Sequence, residues 1–174
     1  QLQDIADKYN LYMKMDTYMY PTSRERLRPF RQDARLTSEE AAKASVEIKK
    51  RQESKENFEA YRQYMMSKCE LEHVNKGNEM NCRAGKSAFW INWYGDMTPC
   101  IFMKKPGINV FKEGFDASWK YIVVESKKIH LPTACATCKN REVCQVCAAC
   151  AYCENNNYDD KPTYMCHYIE SIIN

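Results

Sequence analysis

Glycine is scarce in this chain, at five of 174 residues. Loop-rich domains stapled by disulfides draw on glycine for their tight turns, so the scarcity argues against that class. No stretch reaches the roughly 18 apolar residues of a membrane-spanning helix, so no membrane partner is expected. The formal charge is only +3, too mild to mark a nucleic-acid partner. The Walker phosphate loop, the dinucleotide fingerprint and HExxH are all missing, which removes support for nucleotide hydrolysis and zinc proteolysis. No secretory signal is visible, and a cytoplasmic location is expected. The first residues, Gln1-Leu-Gln-Asp-Ile-Ala-Asp-Lys-Tyr9, read like a helix interior, and we expect a fragment of a longer protein.

Cysteine is what the chain has in excess. Ten are present, and six fall within the nineteen residues from Cys135 to Cys153. The stretch runs Cys135-Ala-Thr-Cys138-Lys-Asn-Arg-Glu-Val-Cys144-Gln-Val-Cys147-Ala-Ala-Cys150-Ala-Tyr-Cys153, with Cys166 after a polar loop. Closely spaced CxxC pairs without a secretion context point to metal rather than disulfides. Two intervening residues let both thiolates reach one centre and leave backbone N–H groups to point at sulfur. Zinc takes four such ligands, and iron–sulfur clusters use four cysteines as well. Spacing does not separate the two metals, but the chain has several more thiols than one site can use.

Along the chain, Leu2, Ile5, Ala6 and Tyr9 recur at helical spacing, and Asn10 can stop that helix. Leu11, Met13, Met15, Thr17 and Met19 then alternate with Tyr12, Lys14, Asp16, Tyr18 and Tyr20, which predicts a strand closed by Pro21. Helix followed by strand is the repeating unit of an α/β sheet, and one unit alone cannot bury both faces. Arg24, Arg26, Arg28, Arg31 and Arg35 follow within twelve residues. They read as a solvated connection pairing with Glu25, Asp33 and the next helix, or as an anion clamp. Thr37-Ser-Glu-Glu40 is a capping box that opens a helix through Ala41, Ala44, Val46 and Ile48. Lys49–Asn57 has no apolar face and is either exposed helix or a break. Helical spacing resumes at Phe58, Tyr61, Tyr64 and Met65, and Cys69 lies at the end. Cys69 and His73, four apart, make a weak ligand pair; His130 and His167 read as structural.

Two β-prone runs, Ser87–Trp93 and Met97–Phe102, flank Tyr94-Gly95-Asp96. Gly95-Asp96 fits the centre of a type II′ turn, so a hairpin is expected with Cys82 and Cys100 at or just beyond its open end. Phe89, Trp90, Trp93 and Tyr94 would shield one face. Asp116 is placed to cap a helix carrying Trp119, Ile122, Val123 and Ser126 inward, ended by Pro132. The fold class expected is α+β, in three parts. A helix–strand unit spans 1–36, a helical linker 37–80, and a β-hairpin plus helix with cysteine-rich loops 81–174.

The spacing Cys82-x12-Gly95-x4-Cys100, a long gap, Cys135-x2-Cys138-x5-Cys144 and a final Cys166 resembles the SPASM domain. That domain extends many radical S-adenosylmethionine enzymes that modify peptides or protein side chains. The resemblance covers about residues 82–170; the unit at 1–36 and the helix after it look similar to the end of the radical SAM partial barrel and its linker. It implies two auxiliary 4Fe–4S clusters, with Cys135, Cys138, Cys144 and Cys166 on the outer one. Cys82 and Cys100 would hold the inner one, together with a thiol from 147–153. The family's next cysteine would fall at position 148, which is Ala148 here. Cys147 is favoured because it is nearest, with Cys150 and Cys153 as alternatives. The fourth inner ligand is Cys69 or an open iron. CxxxCxxC, which holds the SAM-cleaving cluster in that superfamily, does not occur in these residues, so S-adenosylmethionine belongs to the intact enzyme only. The partners implied are a peptide or protein substrate and an electron donor or acceptor such as a ferredoxin or flavodoxin. A zinc-binding interaction module is the alternative.

Overall fold

The computed structural model describes residues 2–21, 35–70 and 77–174. It is rich in helix and carries one small antiparallel sheet, an α+β arrangement. Arg24, Arg26, Arg28, Arg31 and His73 lie outside the described residues.

Helix α1 (Leu2–Lys8) forms where the apolar spacing predicts, and Asn10 at φ 52° turns the chain out of it. The strand expected over 11–20 does not form: these residues pair with no other strand. Alternation marks two faces, but a strand also needs a neighbour to take its N–H and C=O groups. Here the segment is held by side chains instead. Tyr18 is buried, and its hydroxyl donates to Glu154 at 3.0 Å.

Helix α2 (Ser38–Gln52) starts on the expected capping box. The Glu40 N–H donates to Thr37 Oγ1 at 3.2 Å, and the Thr37 N–H donates to the Glu40 carboxylate at 2.9 Å. The charged run divides rather than extending the helix. Glu53 and Ser54 separate α2 from α3 (Lys55–Glu70), which buries Phe58 and Met65. Both helices pack on the last helix, α8 (Thr163–Ile173), which turns Met165 and Ile169 inward.

The sheet has three strands in the order β1 (Trp90–Ile91), β2 (Asp96–Thr98) and β3 (Ile108–Asn109). Trp90 pairs with Thr98 and Ile91 with Met97, so the expected hairpin is present. Its turn differs from the expected type II′. The Gly95 N–H donates to the Asn92 C=O at 3.0 Å, and Gly95 sits at φ 83° after the turn instead of at its centre. Asn92 Oδ1 accepts from the Tyr94 and Asp96 N–H groups, which fixes this longer loop. The third strand was not anticipated; it returns after Pro106-Gly107 and pairs with β2.

A short helix, α4 (Val110–Glu113), leads into α5 (Phe115–Ser126). Gly114, not Asp116, occupies the N-cap of α5, and Asp116 falls within the first turn. Ser118, Ile122 and Ser126 face inward, and the helix ends six residues before Pro132. Helices α6 (Thr133–Ala136) and α7 (Ala148–Asn155) complete the cysteine-rich part. Its core is Met80, Met103, Ile129, Leu131, Cys135, Ala148 and Ala149, so the cysteine loops belong to the packed interior. Among the described residues no helix is long and apolar enough to cross a membrane.

Candidate metal centre

All ten cysteines lie among the described residues, and none is in a disulfide. Each one singled out by its spacing sits beside a tight local structure. Cys82 precedes a turn in which the N–H groups of Lys86, Ser87 and Ala88 converge on the Arg83 C=O at 3.0 Å. Cys100 follows β2 after the buried Pro99, and its C=O accepts from Thr98 Oγ1 and the Met103 N–H, both at 3.0 Å. Cys135 lies on α6. The next two thiols stand on a turn closed by Arg141 N–H to Cys138 C=O (3.0 Å) and Cys144 N–H to Asn140 C=O (2.8 Å). Cys147 occupies the N-cap of α7, and Cys166 rides the first turn of α8, its N–H bonded to Pro162 C=O at 3.0 Å.

These turns bring the thiols around two cavities. Cys135, Cys138, Cys144 and Cys166 line one of about 250 Å³, with Pro162 and Met165. Cys82, Cys100, Cys144 and Cys147 line another of about 610 Å³, walled by Phe89, Trp90 and Phe102. The four thiols expected for the outer set line the smaller cavity, and Cys82, Cys100 and Cys147 line the larger one, with Cys144 bordering both. The remaining candidates line neither cavity. Cys150 and Cys153 are buried within α7, Cys150 against Tyr18 and Met165. Cys69 packs with Tyr61, Met65, Val143, Ile169 and Cys144, away from the Cys82–Cys100–Cys147 wall for which it was a candidate.

Burial dominates the electrostatics of the lining thiols. It pushes Cys100 up to about 11, against hydrogen bonds from the Phe102 and Met103 N–H groups to its sulfur. It pushes Cys144 up to about 11 as well, opposed by the Val146 N–H, while charge on Cys166, Cys135 and Cys138 would add to the rise. Cys135 and Cys166 are raised by burial and then by their neighbouring thiols, and the positive charge of Arg141 works against the rise at Cys135. Cys147 departs in the other direction. A hydrogen bond from the Cys150 thiol, joined by the Ala149 and Cys150 N–H groups, holds it below the usual thiol range. The same bond, followed by burial, pushes Cys150 up. Cys147 stands at a helix N-terminus, which favours negative charge.

Two features escaped the sequence. Arg141, between Cys138 and Cys144, lines both cavities, and its Nε is buried with no hydrogen-bond partner. A charged residue inside a cysteine loop was the available signal. The second is a polar knot over α7. Arg35 pairs with Glu154 at 3.0 Å, the two side chains only 13% and 8% exposed, and its guanidinium lies 3.7 Å from the centre of the Tyr164 ring. Glu25 and Asp33, the partners expected for the arginine-rich connection, lie outside the described residues. His130 Nδ1 lies 3.0 Å from the Leu131 C=O; His167 lies 4.0 Å from Glu39 and borders the smaller cavity.

Among the described residues, no group of three or more His, Cys, Asp or Glu is gathered to hold a metal ion. The thiols surround volumes instead of converging on one point. Even the smaller cavity, at about 250 Å³, is several times the ~30 Å³ share of one water. A set of four thiols around a cavity, backbone N–H groups on sulfur and a buried guanidinium Nε without an acceptor fit a polynuclear iron–sulfur group. No protein-family model, curated protein or solved structure matches the chain, so the family resemblance stands on its cysteine spacing.

Proposed function

We propose that this chain is the auxiliary-cluster portion of a radical SAM maturase of the SPASM type, acting on a peptide or protein in the cytoplasm. Residues 1–36 would be the end of the partial barrel, 37–80 the linker and 81–174 the auxiliary domain. Cys135, Cys138, Cys144 and Cys166 would hold the outer 4Fe–4S cluster; Cys82, Cys100 and Cys147 would hold the inner one. The observation that carries this reading is the sorting of seven thiols, spread over 85 positions of sequence, onto two cavities. When bound, the clusters would supply one-electron transfer, exchanged with a ferredoxin or flavodoxin, or a surface that binds the substrate.

The protein's own residues prepare the sites. Burial keeps water off the Cys100, Cys144 and Cys147 sulfurs, with hydrogen bonds from the N–H groups of Phe102, Met103, Val146 and Ala149, whereas Cys82 is exposed. Phe89, Trp90 and Phe102 wall the inner cavity with apolar surface. Iron and sulfide analysis after anaerobic reconstitution tests the reading, with an expectation of about eight iron and eight sulfide per chain. A colourless, iron-free protein would sink it. Stoichiometric zinc retained without air would instead favour a zinc-binding interaction module. Serine at Cys135 and Cys138 in the intact enzyme separates electron transfer from structural stapling, since turnover that survives in a folded protein favours the staple.

A further inference from the structure

We propose that Arg141 is a positioning residue shared by the two cysteine cavities, its guanidinium donating to cluster sulfur and raising the reduction potential of the outer cluster. The inference rests on the two-cluster reading above. Arg141 is fixed by its backbone, whose N–H donates to the Cys138 C=O at 3.0 Å, within the turn that carries Cys144. Its side chain borders the 250 Å³ cavity and the 610 Å³ cavity alike, as only Cys144 and Val146 also do among the lining residues.

Guanidinium has five N–H donors and no acceptor, and cannot shed its charge in a protein. Leaving such a donor buried without a partner costs about 1–3 kcal/mol or more. The Arg141 Nε is buried and finds no acceptor in the protein, on a wall that carries four thiols. Its charge already acts on Cys135. An acceptor that arrives with the group held by those thiols satisfies both facts, and sulfide or thiolate sulfur is the acceptor such a group brings. Hydrogen bonds and positive charge at cluster sulfur favour the reduced, more negative state. The other charged side chains of the outer cavity are Lys161 and Glu170, with His167 beside them. The Lys161 charge also acts on Cys135 and Cys166, but the side chain is exposed and its field is screened by solvent and salt.

The test is an EPR-monitored redox titration of the reconstituted full chain, comparing wild type with Arg141→Met, Arg141→Lys and Lys161→Met. Arg141→Met is expected to keep its iron and to lower the outer-cluster potential by about 59 mV, a tenfold change in a one-electron equilibrium. Arg141→Lys keeps the charge without the planar fork and should fall between the two; it also serves if the Met variant does not fold. Lys161→Met should move the potential far less. Unchanged potentials in iron-loaded Arg141 variants, or an equal shift in Lys161→Met, overturn the proposal while leaving the clusters in place. Failure of the wild type to take up iron removes the cluster reading itself, and this inference with it.

Discussion

A Cβ on Gly85 would run into the Ser126 hydroxyl of α5, and Gly85 also sits at φ 66°. Gly85→Ala should therefore destabilise the protein by about 2 kcal/mol, from left-handed strain plus displacement of a buried helix face. Anaerobic denaturant titration measures it. Ile122, fully buried on that face, should cost roughly 2–5 kcal/mol when cut to alanine. The Arg35–Glu154 pair behaves differently. Glu154→Ala removes an acceptor from both Arg35 and Tyr18 and takes a carboxylate from beside a buried guanidinium. A loss of about 3–5 kcal/mol is expected, much of it recovered in Arg35→Met/Glu154→Leu, because an apolar pair carries no desolvation cost. Ile122 could be assigned to the core from helical spacing alone. The Arg35–Glu154 pair could not, since nothing local links positions 119 apart.

Thr37 shows what is legible at the scale of an element. Its capping box involves residues three apart, and every bond it makes is local. Thr37→Ala should cost about 1 kcal/mol, read from thermal unfolding. Other elements depend on partners beyond their own sequence. The alternating 11–20 segment encodes two faces but supplies no neighbouring strand, so tyrosine side chains anchor it instead. Gly95-Asp96 satisfies a type II′ turn on paper. Asn92 Oδ1 accepts two N–H groups and Asn109 Nδ2 donates to Asp96 at 3.0 Å, and together these favour the longer loop. Asp116 loses the cap to Gly114 because α4 ends on that glycine, whose N–H donates to the Val110 C=O.

At the scale of the molecule, the cysteine spacing was more informative than any secondary-structure pattern. CxxC and its flanking turns are local devices and legible in sequence, whereas the grouping of the thiols into two sets came from the resemblance to the SPASM domain; Cys144 borders both cavities. The choice among Cys147, Cys150 and Cys153 could not be read from spacing; it depends on which way each points from α7. Cys82→Ser and Cys100→Ser should each remove about four iron and the inner-cluster signal, with Cys166→Ser removing the outer one. Cys153→Ser should leave the iron content unchanged. Iron assay with EPR on each reconstituted variant checks all four.

Helix α7 carries Cys147 at its N-cap and Glu154 near its other end. Seven residues of helix separate them, about 10 Å. Glu154 holds Tyr18 and Arg35, so α7 acts as a strut between the segment upstream and the thiolate facing the inner cavity. A displacement of Tyr18 of a fraction of an ångström would be delivered along the helix axis to sulfur with little lost in bending. Cutting the strut's fastening with Glu154→Gln should speed amide hydrogen exchange at Ala149–Ala151, even where the cavity itself is unaltered.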